Sequence, residues 1–201
     1  MSIGTYAELQ TAVAAWMHRS DLTAIIPDFI ALAEESMNDA LNARSMDTSS
    51  TLVTVAGTAT VALPTDLVVM RRLQIVDDYN TVLNYRTPDQ IAADYNANAQ
   101  SRPESYTVIG DNIELAPIPD AVYSLSCTYK QRIPALTDIN TTNWLLTSTP
   151  SAYLYGALCA AQPYIMNDVR MAMFRRLYQD AIDGINKTDW YSGTSPRVRA
   201  R

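Results

Sequence analysis

The sequence contains few of the residues on which catalytic and cofactor chemistry usually depends. Its 201 residues include one histidine, two cysteines and six glycines. One histidine excludes a zinc site built on several histidines. Six glycines leave little room for a phosphate-cradling loop, and neither Gly-x-x-x-x-Gly-Lys-Ser/Thr nor a Gly-x-Ser-x-Gly elbow occurs. We therefore expect no cofactor, no metal site and no enzymatic activity.

Charged residues and long apolar runs are also scarce. Charged side chains make up 18% of the chain, against about a quarter in ordinary domains, which suggests that part of the surface meets other protein. The longest run without strongly polar side chains is 152–161, about half of the roughly 20 residues that span a bilayer. The N-terminus shows no secretory pattern. We expect a soluble protein that makes no use of a membrane.

The net charge of −6 is unevenly distributed along the chain. Residues 1–50 carry −5, residues 51–145 carry −4 and residues 146–201 carry +3. Such asymmetry indicates different partners at the two ends of the chain. The overall acidity lacks the basic footprint that is typical of free nucleic-acid binders.

The few reactive side chains form no recognisable catalytic motif. Cys127 and Cys159 lie on apolar faces, which favours buried thiols in a reducing compartment. A small hydrolase that uses His18, close in sequence to Ser20 and Asp21, is one alternative left open.

Two pairs of carboxylates could in principle hold a metal or act as an acid–base pair. Glu35 and Asp39 are four residues apart on a predicted helix, and Asp77 and Asp78 are adjacent in a predicted turn. We interpret both pairs as solvated surface. Arg71 and Arg72 point to opposite faces of a predicted strand, so at most one of them meets a given partner.

The N-terminal part of the sequence predicts two helices. Apolar residues from Tyr6 to Trp16 recur at helical spacing and predict a helix over 5–19. Pro27 suits the first turn of a second, amphipathic helix that ends near Arg44. We place Glu34 largely off its apolar stripe.

The period changes to two from Ser49, which predicts strands. We expect a hairpin around Gly57, a short helical turn capped by Thr65, and a polar helix capped by Thr87. The polar helix is predicted at 88–98. The strands are predicted within 52–61, 71–76, 81–85, 106–115 and 123–132.

Helix returns near Thr149 in the C-terminal part, with Pro150 in the first helical position. Pro163 predicts a kink or an early stop. Asn167 and Asp168 can cap a last helix that runs to about Lys187.

The fold class that follows is α+β. N- and C-terminal helices form a helical bundle with an inserted antiparallel β-rich middle region and an extended C-terminal tail. We expect residues 1–190 to form one domain, in which the helices of 5–44 and 149–188 pack together. Residues 50–135 are the insertion, and residues 191–201 are a flexible tail.

Several segments, taken in order, resemble the bacteriophage head–tail connector or adaptor proteins that form the neck ring beneath the portal. The resemblance covers nearly the whole chain and rests on order and spacing rather than on one motif. The segments are 26–34 with 41–44, the Leu-Pro-x-Asp turn at 63–67 with 71–73, the proline-closed hairpin 106–117, and 143–146 with 153–158.

The resemblance implies a structural virion protein. It implies a homo-oligomeric ring, a homododecamer in many relatives, that binds the portal protein and joins head to tail. A tail component or a further neck protein docks below, and DNA passes through the channel without sequence-specific binding. The protein is then found in the virion neck after assembly in the host cytoplasm. The residues that match the portal-binding segment are Trp190, Tyr191, Pro196, Arg197, Val198, Arg199 and Arg201.

A DNA-binding or packaging accessory protein is the main alternative. It would use the basic C-terminal part of the chain, namely Arg170, Arg175, Arg176 and the basic tail.

Overall fold

The computed structural model describes residues 3–19, 21–77, 79–96, 98–165 and 168–192. Helices account for 43% of the chain and strands for 23%, with helices at both ends, which confirms the α+β class. The chain divides into two compact units. The helical unit comprises residues 1–45 and 133–201, and the β-rich unit comprises residues 46–132.

The described residues form six α-helices and seven strands. The helices are α1 (Tyr6–Met17), α2 (Ile26–Ala40), α3 (Pro88–Asp94), α4 (Trp144–Ser148), α5 (Pro150–Ile165) and α6 (Asp168–Ser192). The strands are β1 (Asp47–Val53), β2 (Thr60–Ala62), β3 (Leu67–Ile75), β4 (Asn84–Tyr85), β5 (Ser105–Ile109), β6 (Asn112–Ala116) and β7 (Ser124–Gln131). Among these residues no helix combines the length and apolarity needed to cross a membrane.

Helix α5 lies at the centre of the helical unit, where it packs against α1, α2, α4 and α6. Its sequence is almost free of charge, and much of its length is buried. Helices that are apolar on most sides belong in a core. The largest fully buried side chains of this unit are Leu9, Ile26, Ile30, Met37, Leu41 and Tyr153.

The structure confirms the two predicted N-terminal helices and shows where each of them begins and ends. Thr5 and Glu8 form a capping box at the start of α1. Helix α1 stops at His18, which adopts a left-handed backbone (φ 53°). Helix α2 ends at Ala40, earlier than the predicted Arg44, because Leu41 is extended and its buried side chain turns into the core.

The β-rich unit contains two sheets. One has the strand order β1-β7-β3, and the other has the order β2-β6-β5-β4. All strand pairs are antiparallel except β4 with β5. The first and last strands of the unit, β1 and β7, are neighbours, and Asp47 pairs with Lys130 in their register. The core of the unit includes Leu73, Ile75, Ile113, Leu115, Leu125 and Cys127.

Two predictions for the middle region are wrong. The segments around Gly57 do not form a hairpin, because β1 pairs with β7 and β2 pairs with β6. Pairing with β7 sets Leu52 opposite Leu125, so the apolar side chains of both strands share one face. No helical turn follows Thr65: a single turn, closed by Leu67 N donating to Pro64 O at 3.2 Å, leads directly into β3.

Other local predictions for this region are confirmed. Thr87 caps α3 and forms a capping box with Gln90, although the helix ends at Asp94 rather than near Asn98. The tight hairpin of β5 and β6 turns at Gly110, which needs its positive φ of 58°. The predicted alternation in β7 is present, with Leu125, Cys127 and Tyr129 buried.

The C-terminal helices include one short helix that the sequence pattern did not predict. Helix α4 precedes α5 and is capped by Asn143, whose Oδ1 accepts from Leu146 N at 2.8 Å. Helix α5 begins at Pro150 as predicted, and Pro163 lies in its last turn. Asn167 lies outside the described residues. Helix α6 continues to Ser192, beyond the predicted end at Lys187.

Candidate functional site

The residues predicted to bind a partner lie at and beyond the end of α6. The helix includes Trp190 and Tyr191, whose side chains are not described. The remaining predicted residues lie outside the described part of the chain: Pro196, Arg197, Val198, Arg199 and Arg201. The structure therefore describes the helix that leads to this segment.

Helix α6 packs against α5, and Tyr178 and Asn186 join it to α2 by hydrogen bonds. The α6 side chains of Phe174 and Ile182 are buried. Tyr178 Oη donates to Ser36 Oγ at 3.1 Å. Near the end of α2, Asn186 Oδ1 accepts from Asn42 N at 3.0 Å and its Nδ2 donates to Ala40 O at 3.2 Å. Asn186 thus satisfies backbone groups at the C-terminal end of α2.

A glycine allows α5 to approach both of its neighbours closely. A Cβ atom at Gly156 would lie 3.0 Å from Ala33 Cβ of α2 and 3.2 Å from Tyr178 Cε2 of α6. Such distances are shorter than ordinary van der Waals contact. Gly156 therefore sets the spacing at which α2, α5 and α6 meet.

These three helices enclose an open groove of about 610 Å³. Small residues of α5 line it, including Gly156, Cys159 and Ala160. Leu32 lines it on the α2 side and Arg175 on the α6 side. No sequence pattern predicted this groove, because it depends on how three helices separated in sequence pack.

The basic residues of α6 are only partly neutralised within the described residues. Arg176 and Asp180 are four residues apart and approach to 4.0 Å, and Lys187 and Asp183 approach to 3.8 Å. All four side chains are exposed, so these ion pairs contribute little to stability. Arg170 and Arg175 also lie in the exposed part of the helix. Asp183, the partner of Lys187, also lines the groove.

A buried polar network joins α2 to the segment that enters α4. Glu34 Oε1 accepts from Leu136 N at 2.9 Å and from Tyr153 Oη at 3.1 Å. Asn143 Nδ2 donates to Tyr153 Oη at 2.6 Å and to Pro134 O at 2.8 Å. Glu34 was predicted to lie off the apolar stripe of α2; this prediction is wrong, because its side chain is buried.

Burial controls the ionisation of this network. Burial raises the pKa of Glu34 above its ordinary value, and the hydrogen bonds from Leu136 and Tyr153 offset part of that rise. Burial also raises the pKa of Tyr153, so this hydroxyl remains a donor. We interpret the network as structural, since every polar group in it binds another part of the same unit.

The side chains considered for nucleophilic chemistry are not arranged for it. No hydrogen bond joins the His18 imidazole to another described side chain. Burial raises the pKa of Cys127 to about 11 and also raises the pKa of Cys159. A nucleophilic cysteine needs the opposite shift, because the thiolate is the reactive form.

The candidate carboxylates and the strand arginines are surface features. Glu35 and Asp39 are exposed on α2. Asp77 pairs with Arg102, and the hydrogen bonds and charge around it lower its pKa despite some desolvation; Asp78 lies outside the described residues. Arg71 pairs with Asp47 at 2.6 Å. Across the described ranges, no group of three His, Cys, Asp or Glu residues is placed to hold a metal ion.

Comparison with protein families gives a match over nearly the whole chain. The model of the SU10 adaptor protein family matches residues 4–200. The chain belongs to this family of phage head–tail adaptor proteins. No curated protein matches the adaptor chain.

Membership defines the role of this adaptor in broad terms. It implies a structural, non-enzymatic part in connecting head to tail and a place in the virion neck. It also implies interaction with other virion proteins such as the portal or the tail. The helical unit and the β-rich unit both fall within the matched residues.

Proposed function

We propose that copies of this adaptor form a ring, commonly of about twelve, that binds the portal protein and leaves a channel for DNA. The family match over residues 4–200 carries this proposal. A tail component or further neck protein binds the opposite side of the ring, and assembly takes place in the host cytoplasm.

Exposed apolar side chains support self-association. A closed ring requires two different side surfaces that meet head to tail. Large apolar side chains are exposed in both units, and such side chains become buried where protein surfaces meet. They include Trp16, Leu32, Val53, Val55, Val122, Tyr164 and Met173.

The basic C-terminal segment supplies the chemistry for portal binding. Arg197, Arg199 and Arg201 follow the end of α6. Arginine forms bidentate hydrogen bonds with carboxylates. We propose that these arginines pair with carboxylates of the portal, and that Trp190 and Tyr191 add apolar contact.

The acidic charge suits a passage for DNA. A ring of about twelve copies carries a net charge of about −72. Each basic contact with phosphate strengthens binding, so a lumen without a dense basic lining lets DNA slide.

The first experiment measures mass by light scattering, with and without the cognate portal ring. We expect the 22.2 kDa subunit to join the portal as a ring of about twelve copies. A subunit that does not bind an intact portal would contradict the proposal.

The second experiment tests whether the arginines of the C-terminal segment bind the portal. The triple variant Arg197→Ala, Arg199→Ala, Arg201→Ala should lose portal binding, whereas the matched triple lysine variant should retain part of it because its charge is kept. Equal binding by all three proteins would exclude the segment from the interface.

A DNA-binding function is the second candidate, because Arg170, Arg175 and Arg176 lie on one stretch of α6 without an intervening acidic residue. A gel shift with duplex DNA separates the two, since phosphate binding weakens steeply with salt. No shift at low salt excludes this function.

A further inference from the structure

A small pocket on the β-rich unit combines an apolar lining with one carboxylate. Its volume is about 280 Å³, and it is lined mainly by residues of α3, of β6 and of the segment after β6. The apolar lining includes Ile91 on the α3 side and Pro117 and Ile118 after β6. Glu114, in the middle of β6, also lines the pocket. This lining suits a ligand that is apolar along its length and charged at one end.

The Glu114 carboxylate has no counter-charge within the described ranges. Its side chain is partly buried. None of the ion pairs among the described residues includes it, and no described side chain donates a hydrogen bond to it. Removing a carboxylate from water without a partner costs free energy. A cation that enters the pocket would offset this cost.

A buried hydroxyl beside Glu114 also lacks a partner. Thr107 is fully buried in β5, and its Oγ1 makes no hydrogen bond with any described residue. Thr107 is opposite Glu114 in the β5–β6 register, and residues directly opposite each other project from the same face of a sheet. Buried polar groups in native proteins nearly always have hydrogen-bond partners. An unpaired hydroxyl next to an unpaired carboxylate therefore indicates a ligand that donates hydrogen bonds to both.

Tyr95 adds an aromatic ring to the lining of the pocket. Its Oη lies 3.0 Å from Ser105 Oγ, which also accepts from Arg86 Nε at 3.2 Å. Arg86 in turn pairs with Asp94 at 2.5 Å, so its charge is compensated within the unit and is not directed to Glu114. These bonds hold the tyrosine in place, and the face of an aromatic ring attracts a cation.

The size of the pocket favours a single side chain. Sites for drug-sized ligands measure about 300–1,000 Å³, so a volume of about 280 Å³ lies at the lower limit. Long basic side chains bury their apolar stems while the charged group binds a polar partner. Arginine suits the pocket better than lysine, because its planar guanidinium presents several N–H donors in a fixed geometry to the carboxylate and the hydroxyl together.

We propose that this pocket binds an arginine side chain of a partner protein. The stem lies against Ile91 and Ile118, the guanidinium donates to Glu114 and Thr107, and the Tyr95 ring lies beside the cation. The inference goes beyond the proposed function, which assigns no binding residue to the pocket between α3 and β6.

The first test uses N-acetyl-arginine amide as a probe of the full chain, with no other virion protein present. N-acetyl-citrulline amide is the matched control, because it has nearly the same shape without the charge. Methyl NMR should show saturable shifts of Ile91 and Ile118 with the arginine probe at millimolar concentrations, as expected for one charged contact. Nuclear Overhauser effects should join the probe's methylene groups to Ile91. Equal shifts with the citrulline probe, or no shift with either probe, would overturn the proposal.

A carboxylate variant tests the counter-charge. Glu114→Gln should weaken binding of the arginine probe about tenfold, because the hydrogen bonds to a charged group are lost. Glu104→Gln is the matched control, since Glu104 is an exposed glutamate of the same unit, and it should bind as the wild type does. Wild-type affinity in Glu114→Gln would contradict the assignment.

A hydroxyl variant tests the buried threonine without disturbing the shape of the pocket. Thr107→Val should be at least as stable as the wild type in urea, because the hydroxyl that it removes has no described partner. It should nevertheless bind the arginine probe about threefold more weakly. Unchanged affinity would exclude Thr107 from the site, and a marked loss of stability would show that its hydroxyl already has a partner in the unit.

Two further probes test the choice of arginine. N-acetyl-lysine amide and butylammonium carry a single ammonium group, which lacks the planar set of donors. Both should bind more weakly than the arginine probe. Equal binding of butylammonium would show a general cation site and would contradict the assignment to an arginine side chain.

Displacement tests whether a protein supplies the arginine. The cognate portal and tail proteins are added in turn to adaptor saturated with the arginine probe, and light scattering follows the formation of each complex. The partner that carries the arginine should release the probe. Retention of the probe in every complex that forms would overturn the assignment to a partner protein. Absence of any complex contradicts the proposed function instead, and the probe measurements on the adaptor alone do not depend on it.

Discussion

At the residue scale, Glu34 is the most informative position. It lies four residues after Ile30 and three before Met37, which are both buried, so its spacing places it on the apolar face. A buried carboxylate requires hydrogen-bond partners. Those partners, Leu136 and Tyr153, are more than 100 residues away, and a single sequence does not reveal them.

Removing the hydroxyl of Tyr153 should weaken the network. Tyr153→Phe deprives Glu34 and Asn143 of a partner, and we expect a loss of about 1–2 kcal/mol in the free energy of unfolding. Urea unfolding measures this. Tyr79→Phe is the control, because Tyr79 is 86% exposed. Equal stability of the two variants would mean that the buried hydrogen bonds make no net contribution.

The raised pKa of Glu34 predicts a dependence on pH. Its contribution is fully present below the ordinary value of 4.5 and is lost as the pH rises through the raised folded-state pKa. Glu34→Gln does not titrate, so its stability relative to wild type should improve as the pH rises from acidic to neutral. Urea unfolding at several pH values checks this, with exposed Glu35→Gln as control. A constant difference between Glu34→Gln and wild type would contradict the prediction.

At the element scale, the features that were predicted correctly are those that depend on residues close together in the sequence. The Thr87 cap and the turn at Gly110 depend on residues close in sequence, and both were predicted. The hairpin around Gly57 was wrong because β1 and β2 each pair with a distant strand. The groove beside α6 was missed for the same reason. The predicted partner-binding residues could be placed only to the end of α6, since the others lie outside the described residues.

Two helical glycines should respond in opposite ways to alanine. At Gly184 a Cβ meets nothing within 4 Å, so Gly184→Ala should stabilise the protein by about 0.5–1 kcal/mol through helix propensity. At Gly156 the added carbon contacts Ala33 and Tyr178, and overpacking of about 1–3 kcal/mol should outweigh that gain. Thermal and urea unfolding of the matched pair measure both. A stabilised Gly156→Ala would show that the helices separate readily.

At the scale of the whole molecule, the β-rich unit is one continuous stretch with its own core. Its two ends are adjacent, because Asp47 pairs with Lys130. The chain is anchored where it re-enters the helical unit, since Ile133 N donates to Asn38 Oδ1 at 2.8 Å. The helical unit therefore contains the contacts that define its own packing.

Replacing residues 46–132 by a short glycine–serine linker should leave a folded helical protein. The paired ends lie about 5 Å apart in an antiparallel ladder, so a short linker can join them. Circular dichroism should show helix, and urea unfolding should remain cooperative with a smaller m-value. Deleting 150–165 is the control and should abolish folding, because α5 is central. Loss of helix in the linker protein would show that the two units fold only together.

The adjacent ends of the β-rich unit also have an evolutionary consequence. Insertions are tolerated where the entering and leaving chains lie side by side. Recombination near residues 46 and 132 can therefore exchange this unit as a cassette while the helical unit is inherited unchanged. Lineages that share the helices can in this way acquire a new surface in one genetic event, without refining it residue by residue.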